Sequence, residues 1–231
     1  MPAPPTVFII CSDQVRNGKT LLSRVLIDFL LLEGHDPFCF DLSHPEGALR
    51  AFFPGRTSLI DFTQPDSRAK VFDTMLSRSG RDYVIDIPAQ QLAMFCETAA
   101  GDDFVTLAHR KDFRVAVLYI VDRDEKSLGT AVAVEELLEP DIFVPVANRL
   151  VGSALPDGVP GPALVMQRME DELSMLVSNR RFSLRAFMQG DEAAVPARFR
   201  NGLKNFLHGL VTGMRDIEPA LSLQSLRDSQ P

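Results

Sequence analysis

The chain has 231 residues, of which 45% are hydrophobic and 24% are charged. That composition is typical of a globular protein, and the length suits a single domain over residues 1–231. No stretch approaches the roughly 18 to 20 consecutive apolar residues of a membrane-spanning helix, so membrane association is not expected. The net charge of −7 argues against a surface that binds nucleic acid over its whole extent, because phosphate contacts need clustered Lys and Arg.

The N-terminus and the cysteines indicate a cytoplasmic protein. Residues 1–5 (Met-Pro-Ala-Pro-Pro) lack the basic region and long apolar core of a secretory signal, and we expect them to form a loose tail. The three cysteines, Cys11, Cys39 and Cys96, are scattered without metal-ligand spacing, and their odd number suits a reducing compartment. They are expected to be buried thiols, and the metal expected here is magnesium rather than zinc.

Short apolar runs alternate with longer segments of helical period along the chain. This alternation predicts an α/β fold, a mostly parallel sheet with helices on its faces. The predicted strands lie near residues 6–11, 37–41, 82–87, 114–121, 141–146 and 162–167. The Gly- and Pro-rich residues 152–162 are expected to form a surface loop, and residues 219–231 a loose C-terminal tail.

Helices are predicted at residues 19–33, 67–79, 91–100, 125–138 and 196–215. The first has Leu22, Val25, Leu26, Phe29 and Leu30 on one stripe, and it is followed by glycine, which readily ends a helix. The last is amphipathic as well. Its apolar face is expected to pack on the core, and the alternative is a helix that contacts a membrane or a partner.

The most informative stretch is residues 6–20, in which an apolar strand leads through a polar loop to Gly18, Lys19 and Thr20 at the head of the first helix. Backbone amides at a helix N-terminus and the helix dipole hold phosphate oxygens, so this context predicts a phosphate-binding loop. Lys19 would reach the β- and γ-phosphates, and the Thr20 hydroxyl would help to coordinate Mg²⁺. The residues expected to contact the nucleotide are Asp13, Gln14, Val15, Arg16, Asn17, Gly18, Lys19, Thr20 and Leu21.

The loop departs from the Walker pattern Gly-x-x-x-x-Gly-Lys-[Ser/Thr] at its first position, which is Asp13. Aspartate tolerates left-handed backbone better than most residues, so the loop can still form. A carboxylate beside a triphosphate repels it, and nucleotide binding therefore requires that Asp13 point away from the phosphates.

With this loop and two further motifs, the chain resembles the ParA/MinD family of P-loop ATPases over most of its length. The resemblance implies the three-layer P-loop NTPase fold of the SIMIBI class. The family's second strand ends in Asp-x-Asp-Pro, and here Asp41 matches the first acid and is expected to be catalytic. The second acid, which the family uses near the attacking water, falls on Ser43, so the resemblance implies that hydrolysis is very slow or served by another residue.

Two later strands match the family less fully. Residues 82–88 (Asp-Tyr-Val-Ile-Asp-Ile-Pro) reproduce the family's Asp-Tyr-x-x-x-Asp-x-Pro with one residue fewer. The resemblance makes Asp86 the catalytic magnesium partner of Thr20, and residues 88–91 a segment that senses the γ-phosphate. Asn148, at the end of a strand that runs into Arg149, would contact the adenine of ATP or ADP.

The family's signature lysine, which reaches phosphates across a nucleotide-dependent dimer, is replaced by Gln14. Arg16 lies two residues further on. Its guanidinium could supply the missing cation, since it can bind phosphate oxygens bidentately, or it could be solvated.

The leading functional hypothesis is an ATP-binding nucleotide switch or slow ATPase in plasmid maintenance, conjugation or cellular positioning. It implies a nucleotide-dependent homodimer and a protein partner in a partition or transfer system. The alternatives are a non-hydrolysing interaction protein and an ATP-dependent ligase like dethiobiotin synthetase. Non-specific DNA binding is a further expectation of the resemblance, with these candidate residues: Arg180, Arg181, Arg185, Arg198, Arg200 and Lys204.

Overall fold

A parallel sheet crosses the whole molecule in a computed structural model that describes residues 4–77, 80–149, 152, 155 and 162–228. Its strands are β1 Thr6–Cys11, β2 Phe38–Asp41, β3 Thr57–Leu59, β4 Tyr83–Asp86, β5 Arg114–Val121, β6 Ile142–Asn148 and β7 Leu164–Met166. Their order across the sheet is β3-β2-β4-β1-β5-β6-β7, and every neighbouring pair is parallel. Strand β1 therefore lies at the centre.

Helices cover both faces of the sheet, and five of them lie between consecutive strands. They are α1 Lys19–Leu32, α2 Pro65–Ser77, α3 Leu92–Gly101, α4 Phe104–His109, α5 Glu125–Leu138, α6 Asp171–Ser178, α7 Leu184–Met188 and α8 Ala197–Asp228. A tight hairpin can join only antiparallel strands. Two consecutive strands that are parallel therefore need a longer crossover connection, which is usually a helix.

Side chains of the central strands point alternately to the two faces of the sheet, and this divides the core into two layers. Phe8 and Ile10 of β1 pack in one cluster with α1, α6, α7 and α8, whereas Val7 and Ile9 pack in a second cluster with α2, α3, α4 and α5. Successive strand side chains point to opposite faces, so helices lie above and below the sheet. The predicted fold, a mostly parallel sheet in three layers, is confirmed.

Four short elements were not predicted: β3, α4, α6 and α7. Each has between three and eight residues. One or two turns of helix, or three residues of strand, are too few for a hydrophobic period to be recognised. The loop predicted at residues 152–162 lies mostly outside the described residues.

Helix α8 extends to Asp228, so residues 219–228 are helical where the sequence predicts a loose tail, and residues 229–231 lie outside the described residues. That stretch contains three leucines together with Ala220, Gln224 and Arg227, all of which favour helix. Phe199, Leu203 and Phe206 are buried in the core, as the core-packing interpretation of this helix requires. A Cβ on Gly213 would lie 2.5 Å from Leu164, so this glycine lets α8 approach β7 closely.

At the N-terminus, the Pro5 carbonyl accepts a hydrogen bond from the Arg114 N–H at 3.0 Å, and residues 1–3 lie outside the described part of the chain. Within that part, no helix combines the length and the hydropathy needed to cross a bilayer. Cys11, Cys39 and Cys96 are buried free thiols. Burial raises the pKa of Cys39 and Cys96 to about 12, and it also raises the pKa of Cys11.

Candidate functional site

The polar loop between β1 and α1 lies at the C-terminal edge of the sheet, where β1 separates β4 from β5. Asp86 is the last residue of β4, and its register neighbours are Ile10 of β1 and Asp41 of β2. In open α/β sheets, ligands bind at this edge where the strand order changes direction. The topology therefore brings the loop and the two acidic residues to one place.

The loop backbone presents a row of unbonded donors. In the described residues, none of the backbone N–H groups from Val15 to Leu21 donates a hydrogen bond. Arg16 and Gly18 have left-handed φ values of 56° and 99°, and alternation of right- and left-handed residues turns successive N–H groups toward one concave surface. Such a surface at a helix N-terminus is suited to bind an anion.

Lys19 is folded back into this loop. Its ammonium donates to the Gln14 carbonyl and to Asn17 Oδ1, the latter at 3.1 Å, and its side chain is buried. Burial lowers the Lys19 pKa, while the carboxylate of Asp86 acts in the opposite direction. A buried ammonium bonded to neutral oxygens gains from a stronger anionic acceptor.

Thr20 and Asp86 form the oxygen pair expected for a magnesium site. The Thr20 hydroxyl donates to Asp86 Oδ2 at 2.8 Å. Burial raises the Asp86 pKa to about 6. A buried carboxylate beside a hydroxyl is the oxygen-rich type of site that Mg²⁺ prefers, so these two residues fit that ion.

The carboxylate of Asp13 is turned toward β5 and α5. Asp13 Oδ1 accepts hydrogen bonds from the Tyr119 hydroxyl at 2.9 Å and from the Ser127 hydroxyl at 2.8 Å. Ser127 Oγ also accepts the N–H of Asp122 at 3.1 Å, which connects the loop to the start of α5. No local feature of the sequence indicated these partners, because more than 100 residues separate them from Asp13.

Asn148 lies directly against the loop. Its side-chain nitrogen donates to the Asn17 carbonyl at 2.6 Å, and its exposed fraction is 2%. A Cβ on Gly18 would lie 2.6 Å from that same nitrogen, so a larger residue here would displace the Asn148 amide as well as strain the left-handed φ. The contact of Asn148 with a base stays a prediction, since its amide is bonded to the loop in this structure.

Asp41 organises the segment that follows β2. Its Oδ1 accepts from the N–H and hydroxyl of Ser43, and its Oδ2 accepts from the N–H groups of Leu49 and Arg50, at 2.5–2.9 Å. These four hydrogen bonds give Asp41 a structural role, because they fix the segment that follows β2. Its catalytic role stays a prediction.

The remaining loop residues differ in exposure. Gln14 donates through Nε2 to Asp13 Oδ2 at 3.2 Å, and Leu21 packs partly buried against the core. Val15 and Arg16 are exposed at the loop tip, where Arg16 has no ion pair with any described residue. Both interpretations of Arg16, a phosphate ligand and a solvated cation, therefore remain open.

The segment that follows β4 begins at Pro88 and includes a 3₁₀ turn at Ala89–Gln91. Gln91 Oε1 is buried without a hydrogen-bond partner among the described residues. A buried oxygen without a hydrogen bond costs free energy, so a conformation of this segment that gives Gln91 Oε1 a donor would be favoured.

The candidate DNA-binding residues are partly neutralised. Arg198 pairs with Glu172, and Lys204 pairs with Glu192 at 2.5 Å. Glu192 also lies 3.7 Å from Arg200, and Arg185 is only partly exposed. Arg180 and Arg181 are exposed and have no acidic partner in the described residues. The structure thus reduces the predicted basic face to a smaller patch.

Comparison with known proteins bears on the fold. No protein-family model matches the sequence, and no curated protein matches it. Among solved structures, a chain of the MinC:MinD cell division protein complex from Aquifex aeolicus is similar over 91% of this chain and 94% of its own, with 14% identity and a TM-score of 0.51.

Two further solved structures have lower scores. A nucleotide-binding protein from Archaeoglobus fulgidus in complex with ADP matches 77% of this chain and 87% of its own, at 11% identity and a TM-score of 0.46. A plasmid partition protein from Borrelia burgdorferi matches 80% and 99%, at 14% identity and a TM-score of 0.39. The MinD likeness, together with the parallel sheet, shows that this chain has the P-loop NTPase fold that its sequence motifs predicted.

Proposed function

We propose that this protein binds a nucleoside triphosphate, ATP with Mg²⁺, at the loop Asp13 to Leu21 and acts as a nucleotide switch. The observation that supports this most directly is the pairing of unbonded loop amides with the buried Lys19 ammonium. Phosphate oxygens would accept from both, and Lys19 would exchange the Gln14 carbonyl for a charged acceptor. Thr20 and Asp86 would hold the metal.

The position of Asp13 supports this proposal. Its carboxylate is bonded to Tyr119 and Ser127 rather than directed at the amides. The repulsion that an unpaired carboxylate would exert on a triphosphate is therefore reduced.

The switch itself would be the segment after β4, which begins at Pro88. This segment follows Asp86 directly, so a γ-phosphate and its metal would favour one of its conformers by differential binding. We propose that the switch controls a homodimer or a protein partner in plasmid maintenance, conjugation or positioning. Arg180 and Arg181 leave non-specific DNA as a further candidate partner.

A second candidate is an interaction protein that binds nucleotide without hydrolysing it. Two observations favour it: Ser43 stands at the position of the second acid, and both oxygens of Asp41 are already bonded within their own loop. The nucleotide switch is expected to turn over slowly, whereas this second candidate is expected not to turn over at all.

Calorimetry with MgATP, MgADP and MgGTP tests the proposal on the native chain and on Lys19→Ala. Because Lys19→Ala removes a charge-assisted hydrogen bond, it should lower the affinity for MgATP by about tenfold or more. Lys111→Ala is the matched control, because Lys111 is exposed just before β5 begins, at the other edge of the sheet.

Equal heats from the native chain and Lys19→Ala would remove the proposal. Tighter binding of MgGTP would overturn the choice of adenine. Phosphate release above the level of Lys19→Ala would favour the ATPase, and nucleotide binding without such release would favour the non-hydrolysing protein.

A further inference from the structure

A cavity of about 290 Å³ lies at the edge of the sheet opposite to the loop, where β1 and β5 begin. Its walls come mainly from β1, α1 and α8, and its apolar lining includes Phe8, Leu26, Phe29, Leu30, Met214 and Ile217. This volume is close to the lower end of the roughly 300–1,000 Å³ of known ligand pockets, so it suits a small ligand. An apolar cavity with a few polar groups is the usual form of a small-molecule site.

The acidic side chains at the cavity are already engaged. Asp82 accepts from the Thr6 N–H at 2.8 Å through Oδ1 and contacts His35 Nδ1 at 2.6 Å through Oδ2. Glu33 accepts from Arg215 Nη2 at 2.9 Å. Each of the two carboxylates therefore already has a basic side chain as a partner.

Arg114 forms an ion pair with buried Asp141, Nη1 to Oδ1 at 3.6 Å, which is too long for a hydrogen bond. Its Nε is buried without a hydrogen-bond partner among the described residues. The Val115 N–H and His109 Nε2 both contact Asp141 Oδ2, at 2.7 Å and 2.9 Å, so Arg114 is the partner of Oδ1. Arg114 therefore retains donors for an anion at the cavity, and a guanidinium binds a carboxylate through two parallel hydrogen bonds.

We propose that this cavity binds a small monocarboxylic acid with an apolar tail, its carboxylate on Arg114 and its tail between α1 and α8. The size of the cavity sets the tail length, and the charge of Arg114 sets the head group. The site is separate from the nucleotide loop and does not depend on the proposed function.

Octanoate is a probe of about the required size, and octanamide is a neutral probe of nearly the same shape. Calorimetry on the full chain, without nucleotide, is expected to show saturable binding of one octanoate per chain and weaker binding of octanamide. Arg114→Gln should lower the affinity for octanoate about tenfold and leave the affinity for octanamide unchanged, because only the carboxylate forms charge-assisted hydrogen bonds with the guanidinium. Arg110→Gln, at an exposed arginine nearby in sequence, is the matched control.

A second variant tests the tail. Ile217→Phe adds volume inside the cavity, so it should abolish binding of both probes while thermal melting shows that the fold remains. Absence of saturable octanoate binding to the native chain would overturn the proposal. Equal affinity for the two probes, or undiminished octanoate binding by a folded Ile217→Phe variant, would overturn it as well.

Discussion

Asp13 shows how a P-loop can form without its first glycine. The usual glycine supplies conformational freedom, whereas here a carboxylate fixes the loop to β5 through Tyr119 and to the start of α5 through Ser127. The same bonds direct its charge away from the loop amides. The Asp13 side chain thus both anchors the loop and keeps its negative charge away from the amides that would bind phosphate.

Asp13→Ala is expected to destabilise the fold by about 1–3 kcal/mol, because two buried hydroxyls lose their acceptor. Tyr119→Phe should cost less, and the double variant should cost less than the sum of the two, since both changes remove the same bond. Urea denaturation measures all three. Asp73→Ala on the exposed side of α2 should stay within about 0.5 kcal/mol of the native chain. Strict additivity of Asp13→Ala and Tyr119→Phe would contradict the assigned bond.

Gly18 and Gly34 allow the cost of backbone strain to be separated from the cost of a steric clash. Both have left-handed φ, 99° and 90°, but a Cβ at Gly18 would meet Asn148, whereas a Cβ at Gly34 meets nothing within 4 Å.

Gly34→Ala should therefore cost about 1–2 kcal/mol from φ alone. Gly18→Ala should cost about 1–3 kcal/mol more, because Asn148 must move and release the Asn17 carbonyl. Urea denaturation compares the two variants. Equal losses would show that Asn148 does not brace the loop.

Helix α1 contributes to three parts of the structure. Its first residues carry Lys19 and Thr20, its middle buries Arg24 and Asp28, and its last turn lines the cavity. Arg24 donates to the Val177 carbonyl at 2.8 Å and stacks on Phe52 at 3.6 Å, which ties α1 to α6.

The pH dependence of stability should report the burial of Asp28, which raises its pKa from 3.8 to about 6. The native state then binds a proton that the unfolded chain releases, so this group favours folding increasingly as the pH falls from about 6 to about 4.

Asp28→Asn removes the ionisable group. It should exceed the native chain in stability at pH 7 by up to about 3 kcal/mol, and the advantage should shrink toward pH 4. Denaturation at a series of pH values measures the difference, with Asp73→Asn as the exposed control. A constant difference across that range would contradict the assignment.

The long elements and the phosphate loop were predictable because their signals are local. Buried strands such as β1 and β5 are continuous apolar runs, and Gly18-Lys19-Thr20 stands where a strand passes into an amphipathic helix. The contacts that shape the site are distant in sequence: Thr20 with Asp86, and Asn17 with Asn148. The family motifs placed these residues near the loop, but only the fold shows which atoms meet.

For the whole molecule, the loop and the cavity lie at opposite edges of the sheet and share α1. Movement of this helix along its axis would affect both sites. If α1 couples them, octanoate must change the affinity for MgATP by the same factor by which MgATP changes the affinity for octanoate, since equilibrium coupling is reciprocal.

Calorimetric titration of each ligand in the presence of the other measures that factor. Arg114→Gln should remove the effect of octanoate on MgATP at concentrations that saturate the native chain. Identical affinities with and without the second ligand would show that the two sites are independent.

The three buried thiols give the molecule an internal reporter of its own opening. A maleimide reacts with the thiolate, and both burial and the raised pKa suppress that form while the core is closed. Cys11 ends the strand that leads into the nucleotide loop, Cys39 lies in β2 and Cys96 lies in α3. The order in which the three become labelled would therefore map which layer of the fold separates first.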